Sequence, residues 1–294
     1  MKVVVISDLH IDTSQYNEAV VWAIVESLEA RPVDIICLLG DVSSSDASLN
    51  EVLKAFDSLK AKKFFVPGNH DVWLNPRAFR SCKDYGSSKD SFFKLFRIFD
   101  TCRERGWHSL MSEPCIIDDI GFVGTMGWYD YSFRDVELDT PIEAYEAKHT
   151  LYERWVDGDL VYWKSDNGRM HDRDVTKIFN LDLEDHLKQI EGCSKKVCCS
   201  HFIPFKELQD GMHRGGSFFN AFGGNRRFGQ ILVNNKVDVS FSGHLHRNLR
   251  RFIQGIDCYQ TSIGYLGQDY LFMSSGAGIN FKTILEERVL TLDL

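Results

Sequence analysis

The sequence predicts an α/β fold in which helices cover a parallel β-sheet. Three short apolar runs near the N-terminus, at 2–8, 34–41 and 63–71, are typical of buried strands. Two helical patterns, at 17–32 and 46–62, separate these runs. The alternation of strands and helices predicts parallel strands, because each crossover helix returns the chain to the same edge of the sheet.

The next part of the chain predicts further elements around an insertion. Asp46 is expected to cap the second helix, and a phenylalanine-rich helix is expected at about 89–105. A pair of strands is expected within 115–128. The acidic, aromatic and partly helical segment at about 129–190 is interpreted as an insertion within a single domain covering residues 1–294.

Two more buried strands are expected near the C-terminus, at 195–201 and 237–244. A glycine-rich loop at 210–229 lies between them. The final stretch, NFKTILEERVLTLDL, is typical of closing strands.

Composition excludes some classes of function. The 294 residues carry a formal net charge of −8, so we do not expect binding to long nucleic acids through general electrostatics. The eight cysteines form no C-x-x-C pair, which indicates reduced thiols rather than a disulfide framework. No signal peptide or membrane-spanning run is evident. We therefore expect a cytoplasmic protein with no membrane partner.

Side chains that can bind metals follow five of the predicted strands. Ligands bind beyond the carboxyl ends of parallel strands, and Asp, Asn and His suit hard or borderline metals. In an extended chain, residues two apart project to the same side, so both members of each D-x-H or H-x-H pair can reach one site. Each motif alone is also typical of an ordinary turn, but together they would bury uncompensated polar groups unless a cation were present. The strand-end residues are Asp8, His10, Asp41, Asn69, His70, Asp71, His201, His244 and His246.

The order D-x-H, G-D, G-N-H-D, H and G-H-x-H resembles that of the calcineurin-like metallophosphoesterases, most closely the small bacterial-type and cyclic-nucleotide phosphodiesterase-like group. The resemblance implies a four-layer α/β/β/α sandwich. It also implies two metal ions (Mn²⁺, Fe²⁺ or Fe³⁺, or Zn²⁺) and a metal-bound hydroxide that attacks a small or medium phosphate ester. Carried over by motif, one metal is held by Asp8, His10, Asp41 and His246, and the other by Asp41, Asn69, His201 and His244.

The resemblance also implies roles around the phosphate. His70 matches the histidine that contacts the scissile phosphate, next to Asn69. Asp71 is then either the catalytic partner of His70 or an ordinary turn carboxylate. The stretch GDVSSSDAS lacks the arginine of the phosphoprotein phosphatases, so no Ser/Thr-protein phosphatase activity is expected. Ser200 stands before His201 where many relatives have glycine, which leaves the shape of that loop open.

The glycine-rich loop is a candidate wall of the substrate cleft, because both of its anchors lie beside predicted metal ligands. His213, Arg214 and Arg226 are its candidate phosphate-binding residues, since arginine suits bidentate contact with phosphate oxygens. The alternative is a solvated loop whose arginines pair with surface carboxylates. Two other functions remain open: a metal-dependent nuclease, or a non-catalytic scaffold of the same fold.

Overall fold

Two β-sheets pack face to face in the computed structural model of the chain, which describes residues 1–75, 89–210, 216–266 and 280–294. Helices cover the outer face of each sheet. The resulting order of layers is helix, sheet, sheet, helix, which confirms the expected α/β/β/α sandwich. None of the described helices is both long and apolar enough to cross a membrane. The described cysteines are all free thiols.

The first sheet combines strands from both ends of the chain. Its strands are β1 (Lys2–Ile6), β2 (Ile35–Leu38), β3 (Lys62–Phe65), β4 (His108–Ser109) and β13 (Leu290–Asp293), in the order β13–β1–β2–β3–β4. Strands β1 to β4 run parallel, and β13 pairs antiparallel with β1. In β1, Val3 and Val5 face the second sheet while Val4 and Ile6 face helices. Both faces are buried, which accounts for the unbroken apolar run.

Four helices cover the outer face of the first sheet: α1 (Gln15–Ala30), α2 (Asp46–Ala55), α3 (Ser91–Glu104) and α8 (Phe281–Arg288). Polar side chains begin each of them. Ser45, not Asp46, caps α2, because the Ser45 hydroxyl accepts from the backbone N–H of Ser48. Asp46 occupies the first helical position instead, where the positive end of the helix dipole stabilises its carboxylate.

The second sheet is built from β5 (Cys115–Ile117), β6 (Ile120–Thr125), β9 (Lys195–Ser200), β10 (Val239–Ser242), β11 (Leu249–Ile253) and β12 (Ile256–Gln260), in the order β11–β12–β10–β9–β6–β5. The inner strands run parallel, and β5 and β11 close the edges antiparallel. Its outer face is covered by α6 (Asp172–Gln189) and α7 (Arg226–Asn234). Val5, Cys37 and Phe64 of the first sheet share a core with Val197 and Phe241 of the second.

The segment at 129–190 has two structural parts. Its first part contains α4 (Ile142–Ala147), α5 (Asp157–Leu160) and a short hairpin of β7 (Lys164–Ser165) and β8 (Gly168–Arg169). Its last part is α6, which packs against β6 as part of the outer layer. Aromatic rings are concentrated in the first part, where Tyr129, Tyr131 and Tyr145 are buried against Phe218 and Phe222.

Two expectations for the C-terminal part were wrong. The tail does not consist only of strands: Asn280 caps α8 by accepting from the backbone N–H groups of Lys282 and Thr283, and β13 follows. The glycine-rich loop is also shorter than expected, because 226–229 form the first turn of α7. Asn225 caps that helix through the N–H of Phe228. In both places a polar cap starts a helix where the apolar pattern alone predicts a strand or a loop.

Candidate metal centre

The loops after five strands bring the predicted metal ligands to one edge of the sandwich. Asp8, His10, Asp41, Asn69 and His201 are buried. They follow β1, β2 and β3 of the first sheet and β9 of the second, while His244 and His246 follow β10. The site therefore lies at the junction of the two sheets, beyond the carboxyl ends of their parallel strands.

The ligand loops adopt left-handed backbone, not extended chain. The φ angles are 55° at Asp8, 44° at His10 and 52° at Asp41. His244 and His246 have φ angles of 71° and 51°. The expectation that an extended chain directs both members of each pair to one side was therefore wrong. The chain turns tightly at these residues, so Asp8 and His10 join one group of candidate ligands while His244 and His246 join different groups. Strained backbone of this kind is characteristic of functional sites.

Glycine is required where these loops touch. Gly40 has a φ of +78°, and a Cβ atom there would lie 2.2 Å from the backbone nitrogen of Gly68. At Gly243 a Cβ atom would lie 1.9 Å from Ser7 Oγ. Contacts this short exclude any larger residue, so the glycines allow the ligand loops to approach one another.

One group of candidate ligands combines Asp8, His10 and His246. Nε2 of His10 lies 3.0 Å from Nε2 of His246. Oδ1 of Asp8 lies 3.7 Å from Nε2 of His246 and 3.9 Å from Nε2 of His10. Burial lowers the pKa of His10 well below its ordinary value, so its imidazole is neutral and can offer a lone pair.

A second group combines Asp41, His201 and His244. Oδ2 of Asp41 lies 3.4 Å from Nε2 of His201. Nδ1 of His201 lies 2.8 Å from the carbonyl of Leu39, which favours the tautomer that keeps the proton on Nδ1. Burial lowers the pKa of His244 well below its ordinary value and keeps that ring neutral.

These groups fit cations better than they fit hydrogen bonds. Nδ1 of His10 is buried and has no hydrogen-bond partner among the described residues. The oxygen–nitrogen distances of 3.4–3.9 Å are long for hydrogen bonds. Ligand atoms about 2.1 Å from one ion lie roughly 3.0–3.4 Å apart. The 3.0 Å between Nε2 of His10 and Nε2 of His246 and the 3.4 Å between Oδ2 of Asp41 and Nε2 of His201 fall in this range. A set of imidazole, carboxylate and amide groups also suits Mn²⁺, Fe and Zn²⁺.

His70 lies at the open side of the centre. Its backbone N–H donates to Oδ1 of Asp41 at 2.9 Å, and its Nε2 lies 3.8 Å from Oδ2 of the same carboxylate. The ring stacks on Trp73 with a centroid distance of 3.4 Å and meets the ring of His10 edge-on at 4.6 Å. Packing on both sides holds the imidazole facing the cleft.

Asp71 does not partner His70 in the way the sequence suggests. Its carboxylate accepts the backbone N–H groups of Asp41, Val42 and Ser43 at 2.9, 2.9 and 3.2 Å. It also accepts the N–H of Gly68 at 2.8 Å. The alternative of a turn carboxylate is nearer to the structure, because Asp71 fixes the backbone that carries Asp41.

Two residues near the centre are missed by sequence reasoning. Tyr265 places its ring 4.5 Å from the rings of both His10 and His246. Asp157, in the segment at 129–190, accepts a hydrogen bond from Nδ2 of Asn69 at 3.0 Å. Neither residue belongs to a recognisable motif, so no local signal indicates it.

A cleft of about 270 Å³ opens over the centre. Its floor includes Asp41, Asn69 and His70. Trp155 and Phe219 contribute to its wall, and the Trp155 ring stacks on Phe222 with a centroid distance of 5.1 Å. Leu245, Tyr265 and Asn220 complete the described lining together with His244 and His246.

The glycine-rich loop contributes aromatic rings to this cleft, while its described arginines have other partners. Nε of Arg226 donates to the carbonyl of Ser132 at 3.0 Å. Arg227 pairs with Glu184, as the solvated-loop alternative expects. His213 and Arg214 lie outside the described residues.

Residues 1–248 match the sequence model of the family described as calcineurin-like phosphoesterase. An uncharacterised protein of Acanthamoeba polyphaga mimivirus is 24% identical over 277 residues, which cover 88% of this chain and 90% of that protein. The solved phosphopantetheinyl hydrolase of Mycobacterium tuberculosis superposes with a TM-score of 0.72 at 20% identity, covering 90% of this chain and 89% of the other. A dimetal phosphatase from Danio rerio has a TM-score of 0.52 at 12% identity, with coverage of 90% and 88%.

Proposed function

The chain belongs to the calcineurin-like phosphoesterase family and is a hydrolase of phosphate esters, and we propose that it cleaves them at two metal ions held by the strand-end residues. The position of Asp41 carries this proposal. Its Oδ2 lies 3.4 Å from Nε2 of His201 and 3.7 Å from Nε2 of His10, so it faces both ligand groups. A carboxylate shared in this way suits a bridge between two cations.

Each group then holds one ion. When bound, the ions supply Lewis acidity toward the phosphate oxygens and a nucleophilic water. Asp8 and Asp41 are the only carboxylates among the proposed ligands, so the loaded centre keeps net positive charge and favours an anionic phosphate. The proposed ligands are Asp8, His10, Asp41 and His246 for one ion and Asp41, Asn69, His201 and His244 for the other, with Mn²⁺, Fe or Zn²⁺ as the metal.

His70 is proposed to act on the substrate directly. Its ring is held between Trp73 and His10 and lines the cleft. An imidazole in this position can hydrogen-bond a phosphate oxygen together with Asn69, or donate a proton to the leaving oxygen. Asp71 assists by holding the backbone around Asp41 rather than by moving a proton.

The cleft wall supports a substrate whose alcohol part carries apolar surface. Trp155, Phe219 and Leu245 line the cleft. These side chains exclude water from the ester and contact carbon atoms of the alcohol. The volume of about 270 Å³ suits a small or medium substrate.

A parallel assay tests the function. The protein is stripped with a chelator and single metals are added back during hydrolysis of p-nitrophenyl phosphate and its bis-ester, with a phosphopantetheinyl diester included because one structural neighbour bears that name. We expect turnover of at least one ester that returns with metal. Two bound metals without turnover of any ester would indicate a scaffold, and salt-sensitive cleavage of single-stranded DNA would indicate a nuclease.

A further inference from the structure

Asp157 is a buried carboxylate on which four donors converge. Its side chain is fully buried at the start of α5, far along the chain from the ligand motifs. Oδ1 accepts from Nδ2 of Asn69 at 3.0 Å and from Nε1 of Trp73 at 2.7 Å. Oδ2 accepts from the hydroxyl of Tyr129 at 3.1 Å and from Nε1 of Trp155 at 2.8 Å. Every neighbour in this set donates, so the carboxylate is satisfied only as an acceptor.

The contact with Asn69 determines which way that amide faces. Oδ1 of Asp157 accepts from the indole N–H of Trp73 as well as from Asn69, so Asn69 directs its NH₂ group at Asp157. Its carbonyl oxygen then faces the metal centre, where it lies 3.1 Å from Nε2 of His201. Only the oxygen of an amide can serve as a metal ligand, because the amide nitrogen has no available lone pair.

We propose that Asp157 is a positioning residue that orients the Asn69 amide so that its oxygen is presented to the ion shared with His201. The inference rests on the proposed function, since it concerns a ligand of the proposed centre. Its consequence is that the segment at 129–190 takes part in assembling the metal site, in addition to supplying Trp155 to the cleft wall.

A second buried carboxylate in the same segment provides a matched control. Asp172 accepts from Nε1 of Trp128 at 2.9 Å and also from Tyr131 and Lys148. It thus resembles Asp157 in burial and in having aromatic donors, but its hydrogen-bond partners among the described residues include no proposed ligand. Substitution of Asp172 therefore measures the loss of stability that follows when a buried carboxylate with several donors is changed.

The test is a metal titration of the stripped full-length protein by calorimetry with Mn²⁺ or Zn²⁺. Asp157→Asn keeps the shape of the side chain but removes the charge and one acceptor oxygen, so the Asn69 amide is no longer held in one orientation. We expect one of the two binding events to weaken about 10–100-fold while the other persists. Asp172→Asn should lower the melting temperature and leave both binding events unchanged.

A swapped pair separates orientation from packing. In the double variant Asn69→Asp with Asp157→Asn, a carboxylate presents an oxygen to the metal whichever way it turns, and the amide at 157 can donate to it. We expect this variant to regain most of the lost affinity. This expectation holds even where Asp157→Asn alone folds poorly. Two wild-type binding events in Asp157→Asn, or a swapped pair no better than the single variant, would overturn the inference. A wild-type protein that binds fewer than two ions would instead refute the proposed centre and the inference with it.

Discussion

Asp71 accepts the backbone N–H of Asp41 at 2.9 Å, so one carboxylate fixes the position of another. Three more backbone N–H groups bond to Asp71, and its side chain is buried. Asp71→Ala leaves these donors without an acceptor, and we expect a loss of about 3 kcal/mol in the free energy of unfolding. Urea denaturation measures this loss. The exposed Asp57→Ala serves as the control, and equal stability of the two variants would contradict the role.

Removing the charge of Asp41 should affect both ions. Asp41→Asn leaves the side-chain shape intact but weakens a ligand that faces both groups. We expect loss of most activity and weaker binding of two metals, measured by elemental analysis after dialysis. Near wild-type turnover with both metals retained would rule out the bridging position.

His70 should matter for rate and not for metal content. His70→Ala removes a ring that lines the cleft beside the ligands. We expect kcat to fall on the order of 10²–10⁴-fold, the usual range for a positioned acid–base group. Metal content measured on the same sample is the control, and a missing ion would place His70 among the ligands instead.

The cleft wall and the arginine of α7 should behave differently. Phe219→Ala removes apolar surface from the cleft, and we expect KM to rise for aryl phosphates with metal content unchanged. Arg226→Met should leave KM unchanged, because the guanidinium of Arg226 donates to the Ser132 carbonyl. Steady-state kinetics on both variants decides the matter. A raised KM in Arg226→Met would indicate that Arg226 binds the substrate phosphate.

Asp135 should stabilise the wall in a pH-dependent way. Burial alone would raise its pKa, but hydrogen bonds from Lys206, the Ser217 N–H and Asn220 outweigh burial and lower the pKa below 3.8. A lowered pKa contributes stability above the unfolded value, and this contribution is lost as the pH falls through the folded value. We expect the stability difference between wild type and Asp135→Asn to be constant near neutral pH and to shrink below about pH 3.8. A difference that is constant down to pH 2 would contradict this.

The strand-end motifs predict most of the centre because their residue types and order are local properties of the sequence. The geometry that joins them is not local. The left-handed turns at Asp8 and Asp41 lie against glycines of other loops, Gly243 and Gly68. Asp157 reaches Asn69 only after the fold is complete, so no spacing in the sequence reveals it. In the tail a local signal was overlooked: the cap at Asn280 starts a helix although the apolar pattern is typical of strands.

The proposed ligands come from both sheets, and this has a consequence for the folded state as a whole. Asp8 and Asp41 belong to loops of the first sheet, whereas His201 and His244 belong to loops of the second. An ion bound by both sets acts as a cross-link between the two halves of the sandwich. Metal at 100 times its dissociation constant adds about 2.7 kcal/mol of stability per site. The abundance of the native protein should therefore follow the supply of metal, and chelation should promote its unfolding and turnover as well as inhibit it.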